Sequence, residues 1–418
     1  MPRARPGVPP RLPATGANRK PLLDLEIAIV TPLFGGGTTA EQFDPERPVS
    51  GQSVRGHLRF WWRACYAPAF ATPDALFAAE SALWGAVGDG QAAGPSALDV
   101  RVEIVSAGKQ EQLRVTNQRG RRVWKQGYPG YALFPFQESN QKKTADPCLT
   151  GVVFRLVIEP ARHVTAQQAS DLEASVKNAA RAWLAFGGLG ARTRRGCGSL
   201  WCATKGFMPT SFDDIQDWAR KLAHTGNHNP PVPRLSGARI VLGSRPTDPL
   251  RAWNEAVRTL QQFRRGNSGA SLWPEAQAIR NAAQGQDPGA GYFPRADLGM
   301  PILFQQMGID PPPQLTPSFA DRDRDRMASP LIVKPLALAQ DKAVPMVMLL
   351  NAPHIWEMDP QPVTLKVGND TYRLTSSQIF DVERSRNVPP LLENKDPRAR
   401  RAFLNFAAQR LRAREVEV

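Results

Sequence analysis

The sequence predicts an α+β protein built from two tandem ferredoxin-like units with insertions, and three observations predict it. The chain has 418 residues, more than one ordinary hydrophobic core accommodates. Up to residue 204 the apolar patterns run strand, helix, strand, strand, helix, strand. A proline-rich break, "HNPPVPRL" at 228–235, then separates this set from a second succession of the same kind.

Taken in order, residues 1–20 ("MPRARPGVPPRLPATGANRK") form a basic, proline-rich arm with no apolar stretch, expected to be disordered and unlike a secretory signal. The N-terminal unit spans 21–228. Residues 22–30 read as a strand, followed by the turn-prone "TPLFGGG". A helix is predicted from Ser53 to about Ala67, and strands at 98–105 and 151–158. The second helix starts at Thr165, where Thr-x-x-Gln168 fits a capping box, and ends at Gly187-Gly188. A short strand around "GSLWCAT" completes the set, and 106–150 is read as an insertion containing a basic hairpin. The C-terminal unit, 229–418, offers a strand at 237–243, a helix at 250–264, strands near 330–338 and 344–350, and a helix from about 397 to 413. It is expected to be a degenerate copy of the first, with 283–330 carrying no legible pattern.

Composition narrows the function. Lys and Arg total 53 against 38 Asp and Glu, a formal net charge of +15, which points to a polyanionic partner. No apolar run approaches the ~18 residues of a membrane span. The four cysteines (Cys65, Cys148, Cys197, Cys202) contain no C-x-x-C pair, which suits a reducing cytoplasm. His224 and His228 lie in loop sequence and do not present two imidazoles on one helix face, so no metal or cofactor is expected.

Two segments carry the chemistry. In the helix from Ser53, Val54, Leu58, Trp61, Trp62 and Cys65 form one apolar stripe. Arg55, Arg59 and Arg63 form a second stripe beside it, with Trp62 at the border. No acidic residue occurs between 47 and 73. Three unpaired cations beside an aromatic edge suit a phosphate backbone with bases stacking nearby. The other segment is "FGGLGARTRRGCGSL" at 186–200. It runs from helix to strand and lacks the lysine of a P-loop, which excludes both nucleotide-loop motifs. Gly188, Gly190, Gly196 and Gly198 allow close approach of backbone N–H groups to an anion, and Arg192, Arg194 and Arg195 can hold phosphates bidentately. Leu189 and Cys197 are read as inward anchors of the loop.

The G-h-G-x5-G-h-G spacing of Gly188 to Gly198 resembles the signature of the RAMP superfamily of CRISPR-associated proteins. "TPLFGGG" followed by "SVRGHLRFWWRA" is similar to the N-terminal hallmark of subunit one of the type III-B (Cmr) effector complex, and "RMASPLIVKP" at 326–335 to a motif in its C-terminal half. The resemblance implies tandem RAMP/RRM-like domains that bind guide RNA (crRNA) and target single-stranded RNA. It also implies a non-catalytic subunit capping the complex near the guide 3′ end, beside other Cmr RAMP subunits. Arg326, joined to "MASPL", is expected on the RNA-facing side. Base pairing would read sequence there, leaving the protein sequence-blind backbone contacts.

A competing reading is a metal-independent, guide-processing endoribonuclease using His57, which lies between Arg55 and Arg59. At helical angles, however, position 57 points away from the arginine stripe. A third is a generic single-strand RNA-binding protein without a fixed assembly. Asp321, Asp323 and Asp325 have calcium-loop spacing, but Arg326 and Ile332 stand where that loop needs Gly and Glu.

Overall fold

A computed structural model describes residues 20–35, 43–87, 94–138, 145–211, 213–224, 226–265, 272–305, 308–319, 326–360 and 362–418. The N-terminal arm and the Asp321–Asp325 run lie outside the described residues.

The first unit is a four-stranded antiparallel sheet covered by helices. Strand β1 (Leu23–Ile29) buries Leu23, Leu25 and Ile27 and exposes Asp24 and Glu26, the alternation that makes a half-buried strand. On the open face Asp24 takes a bidentate bond from Arg155 at 2.6–2.7 Å. Helix α1 (Gly51–Tyr66) starts where the Ser50 hydroxyl accepts from the Ser53 N–H, and its buried stripe is the predicted one plus Ala64. A further helix, α2 (Pro73–Trp84), follows before β2 (Leu98–Ser106) and β3 (Val153–Pro160). Helix α3 (Ala166–Phe186) opens on the expected Thr165–Gln168 capping box, and β4 (Leu200–Cys202) closes the unit. The sheet order is β2-β3-β1-β4, the ferredoxin-like arrangement in which the outer strands follow the two helical crossovers.

The second half repeats it. Strand β5 (Arg234–Leu242), helix α5 (Pro249–Arg265), strands β6 (Leu331–Ala337) and β7 (Ala343–Asn351), helix α6 (Ala399–Arg410) and β8 (Arg414–Glu417) build a sheet in the order β6-β7-β5-β8; helix α4 (Ile215–Leu222) precedes them. The last strand has no counterpart among the sequence expectations: its four residues, three of them charged, give almost no periodic signal, and pairing with β5 places it. The insertion at 106–150 does contain a hairpin, Arg114–Thr116 against Arg122–Trp124. The stretch read as unpatterned is structured: strands Ile302–Leu303 and Gln314–Pro317 join Val363–Val367 and Asp370–Arg373 in a third sheet with its own core around Phe293, Leu315 and Leu365.

Strand β6 explains how the two units share one interior. All seven residues are buried. Ile332 and Leu336 pack into the core of the first unit, whereas Leu331 and Val333 pack against α5 residues such as Trp253 and Val257. A strand covered on both faces reads as a continuous apolar run, which "PLIVKPLAL" does except for Lys334.

Candidate nucleic-acid interface

The three motif segments meet in one place. The glycine loop after α3 is zipped to residues 31–34: the Gly198 N–H donates to Pro32 O at 3.0 Å and the Ala191 N–H to Phe34 O at 2.7 Å. The Thr31 hydroxyl donates to Gly196 O at 2.6 Å and accepts from the Ser199 N–H at 2.8 Å. On its other side the loop lies against β6 and α5. Arg194 donates to Ser329 O, Arg195 to Leu331 O at 2.8 Å, and Trp253 Nε1 to Arg195 O at 2.6 Å. Gly36 and Gly37 lie outside the described residues.

This packing changes the reason for the glycines. Gly198 has φ +62°, and a Cβ there would sit 2.0 Å from Leu189 O; at Gly196, φ +85°, it would meet the Trp253 indole at 2.4 Å. These residues are glycine because protein atoms press on them. Close approach to an external anion is not what demands them. Gly188 is buried and Gly190 half-buried in the same contacts. Leu189 and Cys197 are buried as expected, and burial pushes the Cys197 thiol up to about 12.

The arginines divide. Arg194 lies over Phe60 at 5.2 Å, and with Arg195 it binds main-chain carbonyls of the second half. The Arg192 carbonyl accepts from the Arg195 N–H at 2.8 Å, but its guanidinium makes no hydrogen bond among the described residues and its Nε is buried without a partner. Burial, then the guanidiniums of Arg192, Arg264 and Arg194, push the Arg195 pKa down to about 9. Burial lowers that of Arg192 as well, with Arg264 adding to it. A guanidinium keeps its proton at neutral pH regardless. The shifts register burial first, with crowding among the neighbouring cations adding to it.

On α1 the expected row of unpaired cations is corrected. Glu80, buried on α2, binds Arg59 at 2.9 Å and Arg63 at 3.4 Å. Glu80 lies beyond the acid-free stretch 47–73, and only the α1–α2 packing brings it back to the arginines. Arg55 has no carboxylate partner among the described residues and reaches Leu98 O at 3.4 Å. Trp62 is corrected too: it is 6% exposed, its ring between Tyr66 and Phe70, so it offers no face for a base. Arg326 is exposed at the start of the segment leading into β6. His57 stacks near Trp183, and burial lowers its pKa to about 4, leaving it neutral at physiological pH.

Residues not singled out from sequence also reach this region. Arg264 and Arg265 end α5, Tyr131 belongs to the short helix Gly130–Leu133, and Arg265 lies over the Tyr131 ring at 5.1 Å. The hairpin tip also carries exposed Arg119 and Arg121, with no contact to the loop among the described residues. The available signal was the absence of any acid between Arg265 and Glu275. No group of His, Cys, Asp and Glu able to hold a metal occurs among the described residues, and no described helix is long and apolar enough to cross a membrane.

Residues 26–201 match the RAMP superfamily. No curated protein matches the chain. Among solved structures, apo Cmr1 from Pyrococcus furiosus is similar with a TM-score of 0.50 and 16% identity over 82% of this chain and 93% of that one. A chain of the type III-B Cmr-beta complex bound to cognate target RNA gives 0.47 and 11% identity, covering 93% of this chain and 99% of that one. The loop and its partner segment 31–34 fall within the matched range, and the fold is similar to that of apo Cmr1. The matched range, residues 26–201, holds the Gly188–Gly198 loop and so ties the first unit to the RAMP-superfamily model.

Proposed function

We propose that this chain is a non-catalytic, RNA-binding subunit of a type III-B CRISPR effector, seated at the guide 3′-end side and touching guide and target RNA. The observation that carries the reading is the cationic cluster beside the glycine loop. Arg192 and Arg264 have buried Nε atoms without partners, and no carboxylate among the described residues neutralises them. Unpaired buried charge is costly, so a fold that keeps it has an anionic partner to offset the cost. The RAMP match and the Cmr1-like fold support RNA as that partner, and the net charge of +15 supports a long polyanion.

In this reading Arg192 leads and Arg55, Arg326 and the hairpin arginines extend the contact. Arg194 and Arg195 lock the loop to the second unit, while Arg59 and Arg63 are largely occupied by Glu80. The division into an N-terminal unit to residue 228 and a C-terminal unit from 229 belongs to the same proposal. Tagged chain isolated from its native host tests it: small CRISPR-derived RNA and further RAMP subunits are expected to co-purify. Recovery of the chain alone, free of RNA, contradicts the reading.

A further inference from the structure

Three elements distant in sequence come close enough for their charged and polar groups to act on one another. They are the glycine loop with Arg192 and Arg195, the C-terminal turn of α5 with Arg264, and the short helix Gly130–Leu133 with Tyr131. Arg192 is held in the left-handed region at φ 57°, unusual for a residue with a Cβ, so the loop commits backbone strain to placing this side chain. Trp253, one face of α5 below Arg264, fixes the separation by bonding Arg195 O at 2.6 Å. Tyr131 forms a wall, itself covered by Arg265 at 5.1 Å.

A helix C-terminus tolerates cations, which would account for Arg264 alone. It does not account for Nε atoms of two different arginines being buried without an acceptor among the described residues. Nor does the sequence following α5 supply one: "GNSGASLWP" has no acid, and the next, Glu275, is bound by Arg295 at 3.0 Å. The missing acceptor must be small, anionic and rich in oxygen, because guanidinium Nε and Nη groups match two oxygens at once.

We propose that Arg192 and Arg264, supported by the field of Arg195 and walled by Tyr131, form a seat for a single phosphate group. Resting on the RNA-binding reading, the seat holds one backbone phosphate of the RNA at a fixed position and pins its register on the domain. It differs from the broad cationic surface in being built from two units of the fold. It therefore takes its ligand only when both are in place.

The test uses the full chain with Arg264→Gln and Arg192→Gln, and Arg251→Gln, exposed at the other end of α5 and paired with Asp248, as a control that leaves the seat intact. Two readouts are taken: thermal stability on adding inorganic phosphate at constant ionic strength, and the salt dependence of single-stranded RNA binding. Phosphate is expected to raise the melting temperature of the wild type and the Arg251 variant but not of the other two. The log–log salt slope with RNA is expected to flatten by about 0.7 in either seat variant, one phosphate contact on a single strand. If RNA binds with unchanged slope in both variants, the seat is overturned and the RNA reading stands. If the wild type binds no RNA yet phosphate protects it and not the variants, the seat stands with free phosphate as its source and the RNA reading falls. Equal protection of all four proteins marks an adventitious ion only and overturns the seat. Should a glutamine variant fail to fold, Arg264→Lys keeps the charge and loses the fork; full retention of phosphate protection by it overturns the two-oxygen geometry.

Discussion

The Lys334 ammonium of β6 donates to the carbonyl of Gly187 at 2.6 Å and to Ala185 O at 2.9 Å, inside the protein. It thereby caps the end of α3 with a residue from the other half of the chain, at the point where the glycine loop begins. Burial lowers its pKa to about 7. The C-terminal dipole of α3 favours the cation and works against that shift.

This lysine predicts a pH dependence. Its folded pKa lies below its unfolded one, so between pH 7 and about 10.5 the unfolded chain binds more protons and stability rises with pH. Denaturant melts of wild type and Lys334→Met should diverge across that window in favour of the wild type. The slope is at most about 1.4 kcal/mol per pH unit. Parallel profiles would mean that Lys334 keeps its ordinary pKa.

The glycines of the loop give a second contrast. Gly198→Ala places a Cβ 2.0 Å from Leu189 O at φ +62°. It is expected to cost more than about 2 kcal/mol of unfolding free energy. Gly56→Ala, on α1 with nothing within 4 Å, should be neutral or stabilise by up to about 1 kcal/mol. Chemical denaturation of both variants checks the pair.

Glu80 supplies a third. It is 3% exposed and binds two arginines that are themselves partly open to water. Glu80→Gln should lower stability by roughly 1–3 kcal/mol, the range for a buried charged hydrogen bond left incomplete. Because Arg59 is occupied, Arg59→Gln should flatten the RNA salt slope less than Arg192→Gln. A larger effect from Arg59 would move the interface to α1.

His57 bears on the nuclease alternative. With its pKa near 4 it is neutral at physiological pH and has no proton to give as a general acid. Labelled repeat RNA in EDTA should remain intact in wild type and His57→Ala alike; cleavage lost in the variant would establish the ribonuclease. The same burial predicts stability falling as pH drops from 6.5 towards 4, since the unfolded chain takes the proton first. An NMR titration of the imidazole reads the midpoint directly.

Much of the fold is legible in the sequence, because β1, α1, β3 and α3 bury one face each and so keep a periodic pattern. The capping box at Thr165 and the stop at Gly187 are local chemistry and can be found locally. What is hidden depends on partners far along the chain. Glu80 returning to Arg59, Arg194 reaching Ser329 O and Arg264 facing Arg192 have no trace in any window of sequence. The spacing of the glycine loop marks its importance correctly, yet its glycines answer to Leu189, Phe34 and Trp253.

The most direct test of RNA binding is a filter-binding titration of the pure chain against single-stranded RNAs of unrelated sequence over a range of salt. The predicted result is similar affinity for every sequence, with a steep salt slope that flattens in Arg192→Gln. No binding at low salt, or binding indifferent to salt, would contradict it.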